Sequence, residues 1–116
     1  MIFFEIEEFD SPDEPGSGAK MNKHVLNQID LARATACVPF KINSGYRTTK
    51  HNQKIVGSPT SSHLGGWAVD IHCDNSGYRE KIVYSLMLAG FRRIGIANTF
   101  IHADMDPFKS TAMWLY

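Results

Sequence analysis

The chain has 116 residues, of which 43% are hydrophobic and 21% charged, and its twelve basic residues balance twelve acidic ones. This size and composition predict one globular domain and exclude a disordered chain, a coiled coil and a collagen-like fibre. Because the formal charge is zero and no basic tract is present, we expect no nucleic acid partner.

Membrane and export signals are absent from the sequence pattern. No stretch approaches the roughly 18 apolar residues of a membrane span. The segment Met1–Asp10 carries three glutamates, where a secretory signal has basic and apolar residues. We therefore expect cytoplasmic synthesis without a signal peptide. Cys37 and Cys73 are too few for a disulfide framework and form no CxxC motif, so both are expected to be reduced and structural.

The first predicted elements of the chain are an irregular segment and a helix. Residues 1–20 are predicted to form an N-terminal arm, because Phe9–Ala19 concentrates Pro, Gly, Ser and acidic residues; residues 21–116 form the domain. Asn22 is a good N-cap, and the helix that follows ends before Pro39. Its apolar residues recur at helical spacing: Val25, Ile29, Ala32 and Ala36.

The remaining elements are short. A second amphipathic helix starts at Asp74–Ser76 and ends at Gly90, and Thr48–Lys54 forms a short helix. Five strands are predicted at Phe40–Ser44, Trp67–Cys73, Arg93–Ile96, Phe100–Asp104 and Ala112–Tyr116. This order indicates a small single α+β domain, with an antiparallel sheet packed against two main helices.

A group of histidines and aspartates carries the chemistry. His63 lies in a loop, and Asp70 follows inside a strand, where it shares one face with Ala68 and His72. Zinc accepts such a mixed nitrogen and oxygen set, and a catalytic zinc needs three protein ligands. His102 is the natural third ligand, and Asp104 lies on the same strand face.

Each of these residues also has a simpler interpretation. His63 taken alone is typical of a surface loop, and His102 alone is typical of a hydrogen-bonded core histidine. Asp70 is harder to explain in this way, because an unpaired carboxylate buried among apolar residues would lose its hydration.

The motifs around these residues resemble those of a known family. Ser61-x-His63-x-x-Gly66-x-Ala68-x-Asp70 is similar to the SxHxxGxAxD signature of the zinc D-alanyl-D-alanine carboxypeptidase family. That family also includes D-Ala-D-Ala dipeptidases, L-alanyl-D-glutamate endolysins and the hedgehog signalling domain. Three further segments agree with it in order and spacing: Ser44–Asn52, Arg93–Ile96 and Phe100–Asp104.

The resemblance implies a hedgehog-like fold in which zinc is held by His63, Asp70 and His102. A zinc-bound water would cut an amide, since zinc lowers the pKa of water toward about 7 and polarises the carbonyl. Arg47 would bind the substrate carboxylate or the developing oxyanion; the alternative is a surface ion pair.

The catalytic base departs from one branch of the family. Dipeptidases and several endolysins carry Glu or Asp three residues before the last ligand, where this chain has Thr99, which accepts no proton at neutral pH. We predict Asp104 as the base, since a branch with an HxD ending also lacks the upstream acid. Asp104 could instead orient a ligating imidazole, and Asp106 is the reserve candidate.

The sequence indicates the substrate-binding residues less clearly than the metal ligands. Arg47, Ser61 and His72 are candidate substrate-binding residues, although His72 could equally be structural or exposed. Trp114 and Tyr116 are expected to pack in the core or at the sheet edge, the alternative being that they close the cleft.

The function implied by the resemblance is a zinc metallopeptidase of bacterial cell-wall peptides, either a D-Ala-D-Ala carboxypeptidase or an L-Ala-D-Glu endopeptidase. The layout is similar to short phage peptidases, which implies action on the wall during phage lysis. The partner is a peptidoglycan peptide, and a monomer is expected. One alternative is a non-catalytic zinc-binding module of the same fold. Another is a structural phage protein whose metal stabilises a small core.

Overall fold

The computed structural model describes residues 1–116, and its helices and strands follow the predicted order. The helices are α1 (Lys23–Ala36), α2 (Thr49–Lys54) and α3 (Ser76–Leu88). The strands are β1 (Ile42–Ser44), β2 (Ala68–His72), β3 (Arg93–Ile96), β4 (Phe100–Asp104) and β5 (Ala112–Leu115). Two short 3-10 turns, Ile6–Phe9 and Ser17–Lys20, precede α1. The prediction of a small α+β domain is confirmed.

The two long helices begin at the predicted caps. The Asn22 side chain accepts a hydrogen bond from the Val25 N–H at 3.1 Å, and Asn75 accepts one from the Tyr78 N–H at 2.8 Å. Both bonds satisfy an N–H group that the first turn of a helix leaves without a partner. The helix α1 ends where Cys37 adopts a left-handed conformation with φ of 55°.

The sheet has the order β1-β2-β4-β3-β5. Its first four strands pair antiparallel, as predicted, but β5 runs parallel to β3. Asp104 at the end of β4 pairs with Arg93 at the start of β3, and Arg93 also pairs with Ala112 at the start of β5. The connection 105–111 therefore returns the chain to the end at which β3 begins, and β5 must follow the direction of β3.

The two faces of the sheet have different roles. Val69 and Ile71 of β2 and Ile101 and Ala103 of β4 belong to one buried cluster with residues of α1 and α3. Because side chains alternate along a strand, the intervening residues of β2 and β4 lie on the opposite face. That face carries the polar residues of the candidate site.

The N-terminal segment packs against the domain. Phe4 and Phe9 belong to the same buried cluster as the helices and the sheet, and the backbone N–H of Phe3 donates to Asp30 of α1 at 2.9 Å. Cys37 and Cys73 are both free thiols. None of the helices has the length and apolar character needed to cross a membrane.

Candidate metal centre

Three side chains converge on the polar face of the sheet. His63 lies in the loop before β2, Asp70 lies in β2 and His102 lies in β4, and one potential ligand atom from each falls within 4.8 Å of the others. Asp70 and His102 are direct partners across the β2–β4 pair. The Nε2 atom of His63 is 3.3 Å from Oδ2 of Asp70, and Nδ1 of His102 is 3.0 Å from its Oδ1.

The imidazole of His63 is held by a backbone contact. Its Nδ1 lies 2.8 Å from the carbonyl oxygen of Gly45, and the residue is only 2% exposed. A carbonyl can only accept, so Nδ1 carries the proton in this hydrogen bond. The other nitrogen, Nε2, faces Asp70 and is the one available to a metal ion.

The imidazole of His102 is held by a carboxylate. Its Nε2 lies 2.7 Å from Oδ2 of Asp104, and Nδ1 faces Asp70. The other oxygen of Asp104 accepts from Nε of Arg93 at 2.9 Å and from the backbone N–H of Asp106 at 3.1 Å. Asp104 is 1% exposed, so both of its oxygens are occupied inside the protein.

The charges of the centre are strongly coupled. Burial by itself would raise the pKa of Asp70, but hydrogen bonds from His102 and His63 outweigh it and hold that pKa well below 3.8. Burial likewise opposes the shift at His102, yet the bonds to Asp104 and Asp70 raise its pKa above 6.5. Burial would raise the pKa of Asp104, but the hydrogen bonds from His102 and from the Asp106 N–H, with the nearby charges of His102 and Arg93, lower it.

These residues fit a catalytic zinc ion. Two imidazole nitrogens and one carboxylate oxygen form the kind of three-ligand set that leaves a coordination position free. Both imidazoles are anchored through their second nitrogen, one by Gly45 and one by Asp104. Such outer partners fix the tautomer and ring orientation of a ligating histidine.

Arg47 lies beside the centre. Its Nη2 is 3.4 Å from Oδ2 of Asp70. Its Nε donates to the Ser44 hydroxyl at 3.1 Å, and its Nη1 donates to Asn52 and Ser61 at 3.3 and 3.4 Å. The side chain is 14% exposed, and burial lowers its pKa. A guanidinium held in this way presents a fixed positive charge to the cavity next to the candidate ligands.

A cavity of about 380 Å³ opens over these residues. Ser61 lines it together with the three candidate ligands. Trp114 and Tyr116 lie at the sheet edge, as expected, and they also line this cavity, which is the cleft alternative. Gly95 makes room for them, because a Cβ at this position would lie 2.6 Å from the Trp114 ring.

Two predicted site residues lie elsewhere. The side chain of His72 is 44% exposed, lies 3.6 Å from Asp74 and does not line the cavity. His72 is the last residue of β2, two positions beyond Asp70. The carboxylate of Asp106 accepts from Ser62 at 2.8 Å and from the Phe108 N–H at 3.0 Å, also away from the cavity lining.

Three residues of the site were not singled out from the sequence: Asn52, Arg93 and Lys109. Asn52 is buried and supports Arg47. Arg93 bonds to Asp104, and Lys109 lines the cavity and donates to Ser62 at 2.9 Å. Only Arg93 had a usable signal, because strand alternation places it on the face of Gly95. Asn52 comes from the short helix α2 and Lys109 from the connection between β4 and β5, and neither position has such a signal.

Comparison with protein-family models relates the chain to a known family. A family model described as Peptidase M15 covers residues 7–104, a range that includes all three candidate ligands. No curated protein matches the chain.

Proposed function

The chain belongs to the peptidase M15 family, and on that premise we propose that it is a zinc metallopeptidase of peptidoglycan stem peptides. The bond cut is either D-Ala-D-Ala, at a peptide terminus, or L-Ala-D-Glu, inside the stem. The observation that carries the proposal is the three-donor set of His63, Asp70 and His102, in which each imidazole has a dedicated outer partner.

Zinc held by these three residues would supply a Lewis acid for the scissile carbonyl and a water of lowered pKa. The chain's own residues prepare that position. Gly45 and Asp104 each hold the proton of an imidazole on the nitrogen that faces away from Asp70. The nitrogens that face Asp70 are therefore the ones that a metal would bind, with loss of any proton they carry.

Arg47 has the role of an anion-binding group. Its guanidinium faces the cavity and is fixed by Ser44, Asn52 and Ser61, so it does not have to be ordered when a substrate arrives. A carboxylate of the substrate, or the oxyanion that develops during attack, would find a charge already in place. Ser61, which bonds to Arg47, borders the same space.

Asp104 has two proposed roles, and the geometry suits one better. A general base needs an oxygen within reach of the attacking water, whereas both oxygens of Asp104 bond to protein groups. We therefore propose that Asp104 orients His102. The base role first predicted for it stays a prediction.

We propose that the enzyme acts as a monomer on the bacterial cell wall. A role in phage lysis is supported by the resemblance of the chain to short phage peptidases. The alternative is a non-catalytic zinc-binding module of the same fold. One observation favours it: the only carboxylates that line the cavity are Asp70 and Asp104, and neither is free.

The test is mass spectrometry of purified peptidoglycan incubated with zinc-loaded protein. We expect new amino termini that appear with zinc and disappear with a chelator or with His63→Ala. Fragment masses name the bond, because loss of terminal D-Ala identifies a carboxypeptidase and release of stem peptides from L-Ala identifies an endopeptidase.

The matched control is His24→Ala, since His24 is an exposed histidine on α1 and should retain full activity. Stoichiometric zinc binding without any new fragment would overturn the peptidase proposal in favour of the non-catalytic module. Cleavage that persists in His63→Ala or in chelator would overturn the assignment of the metal centre.

A further inference from the structure

Arg93 connects the candidate metal centre to the rest of the polar face. It is the first residue of β3, it is a direct cross-strand partner of Asp104, and its side chain is 17% exposed. Its Nε donates to Oδ1 of Asp104 at 2.9 Å. The same guanidinium therefore touches the carboxylate that holds His102 and lines the cavity over the centre.

The guanidinium is itself fixed on two further sides. Its Nη1 donates to the carbonyl of Ser110, in the connection that leads to β5. The Trp114 ring lies beneath it, with the guanidinium carbon 5.1 Å from the ring centroid. A planar group with one edge bonded to Ser110 and one face against an indole has a single orientation, and its Nε bond fixes the Asp104 carboxylate in turn.

The position of Asp104 determines that of His102. Oδ2 of Asp104 bonds to Nε2 of His102 at 2.7 Å, and Nδ1 of the same ring lies 3.0 Å from Asp70. A rotation of the Asp104 carboxylate would turn the imidazole and move Nδ1 away from the metal position. Arg93 and the Asp106 N–H are the two donors that prevent this rotation.

We propose that Arg93 is a positioning residue for metal binding, which acts through Asp104 to direct Nδ1 of His102 at the ion. The inference rests on the metal centre of the proposed function and adds a residue to it. Lysine could not replace arginine here, because one ammonium group lacks the planar fork that serves Asp104, Ser110 and the Trp114 face together. The rival interpretation is a cross-strand ion pair that only stabilises the sheet.

The experiment measures metal binding without any substrate. Zn²⁺ affinity is determined by competition with a chelating dye for the wild type, Arg93→Met and Arg93→Lys. The visible absorption of the Co²⁺-loaded proteins reports the geometry of the ligands. We expect both variants to lose about 10- to 100-fold in Zn²⁺ affinity, the range typical of outer partners of metal ligands, and to show altered Co²⁺ bands.

The matched control is Arg92→Met, because Arg92 is the exposed neighbouring arginine and does not line this cavity; its affinity and spectrum should equal those of the wild type. A purely structural ion pair predicts a lower melting temperature of the metal-free variants with unchanged Co²⁺ bands. Zn²⁺ affinity within twofold of the wild type in folded Arg93→Met would overturn the proposal. If that variant does not fold, Arg93→Lys, which keeps the charge, decides by the same criteria.

The outcome is separable from that of the peptidase assay. A wild-type protein that binds Zn²⁺ and cleaves nothing overturns the proposed function and leaves the comparison of Arg93 variants intact. A wild-type protein that binds no metal overturns both.

Discussion

Each imidazole of the candidate metal centre has one nitrogen committed to a protein acceptor, but the two acceptors differ in charge. His63 bonds to the neutral carbonyl of Gly45, and His102 bonds to the carboxylate of Asp104. A carboxylate partner raises the basicity of a ligating imidazole more than a carbonyl does. The His102 ring is therefore the one whose metal binding depends most on its neighbour.

The substitution Asp104→Asn separates the two roles of this carboxylate. In the carboxylate, one oxygen accepts from Arg93 and the other bonds to His102. An amide replaces one of these oxygens with an NH₂ donor, so one of the two bonds is lost. We expect Zn²⁺ affinity to fall about 10- to 100-fold, with turnover largely restored at saturating zinc, as measured by dye competition and peptidoglycan digestion. Unchanged affinity together with abolished turnover would instead identify Asp104 as the base.

Arg47 also has two proposed roles: it could bind a carboxylate of the substrate, or it could bind the oxyanion that develops during attack. We expect Arg47→Met to lower kcat/KM by at least about 100-fold, since removal of one oxyanion donor typically costs that much. Steady-state kinetics with the stem peptide as substrate shows whether the loss lies in kcat or in KM. A fall confined to kcat indicates the oxyanion role, and a rise confined to KM indicates the carboxylate role.

The matched control for Arg47 is Lys50→Met, an exposed cation on the neighbouring α2 that does not line the cavity. Wild-type kinetics in Arg47→Met would show that this guanidinium forms only an ion pair with Asp70.

At the scale of elements, the N-terminal segment supports the loop that carries Arg47. The Tyr46 N–H donates to the Phe9 carbonyl at 2.9 Å, and the Thr48 N–H donates to the Ser11 hydroxyl at 3.2 Å. Gly45 packs directly on Phe9. The Gly45 carbonyl is also the acceptor for His63. The N-terminal segment therefore contacts Gly45, and Gly45 in turn holds one of the candidate metal ligands.

The substitution Gly45→Ala tests this connection. The new Cβ would lie 2.8 Å from the Phe9 Cα, so either the backbone at Gly45 or the segment at Phe9 must move. We expect a loss of about 1–3 kcal/mol in the free energy of unfolding, measured by urea denaturation, and weaker Zn²⁺ binding through the displaced carbonyl.

Gly77→Ala is the control for Gly45→Ala, because a Cβ there has only the Asn75 side chain nearby, at 3.5 Å, and lies in the first turn of α3. It should leave Zn²⁺ affinity unchanged. Equal effects of the two substitutions would contradict a link between Phe9 and the metal centre.

The elements themselves were largely predictable, and their arrangement was not. Caps and apolar periodicity mark α1 and α3, and alternation marks β2, because these signals are local to the chain. The direction of β5 depends on where the connection 105–111 re-enters the sheet, which no local pattern encodes. The same holds for Trp114, whose aromatic character fits a core strand as well as a cavity wall.

In the candidate site, too, local sequence signals predicted some residues, and contacts between distant parts of the chain determine the others. The three candidate ligands were predicted from motif spacing and family resemblance, and the structure brings their side chains together. Arg93 and Asn52 were missed because their roles come from a cross-strand register and a loop contact. His72 shares the strand face of Asp70, but its side chain is exposed and lies near Asp74, and alternation alone does not report which residues of a face line the cavity.

At the scale of the whole molecule, the coupled charges make stability depend on pH. In the metal-free protein the pKa of His102 is raised, so its contribution is complete below about 6.5 and is lost as the pH rises through the folded-state pKa. The pKa values of Asp70 and Asp104 are lowered, so their contributions are present above 3.8 and are lost as the pH falls.

We therefore expect the metal-free protein to have its highest melting temperature at mildly acidic pH, between about 4 and 6.5. Zinc reverses the trend, because it binds the unprotonated imidazole, so the increase in melting temperature caused by zinc should grow from about pH 5.5 to 8. Thermal melts with EDTA and with zinc measure both. A melting temperature of the metal-free protein that is constant over this range would contradict the coupling.

The position of β5 has a consequence for how relatives of this protein can diverge. Its only strand neighbour is β3, at the margin of the sheet, and the rings of Trp114 and Tyr116 reach over the cavity from there. The ligands lie inside residues 7–104 that match the family, whereas these rings lie outside. Trp114 also packs against the Arg93 guanidinium, so a change of this ring alters the cavity wall and the surroundings of the candidate metal centre together.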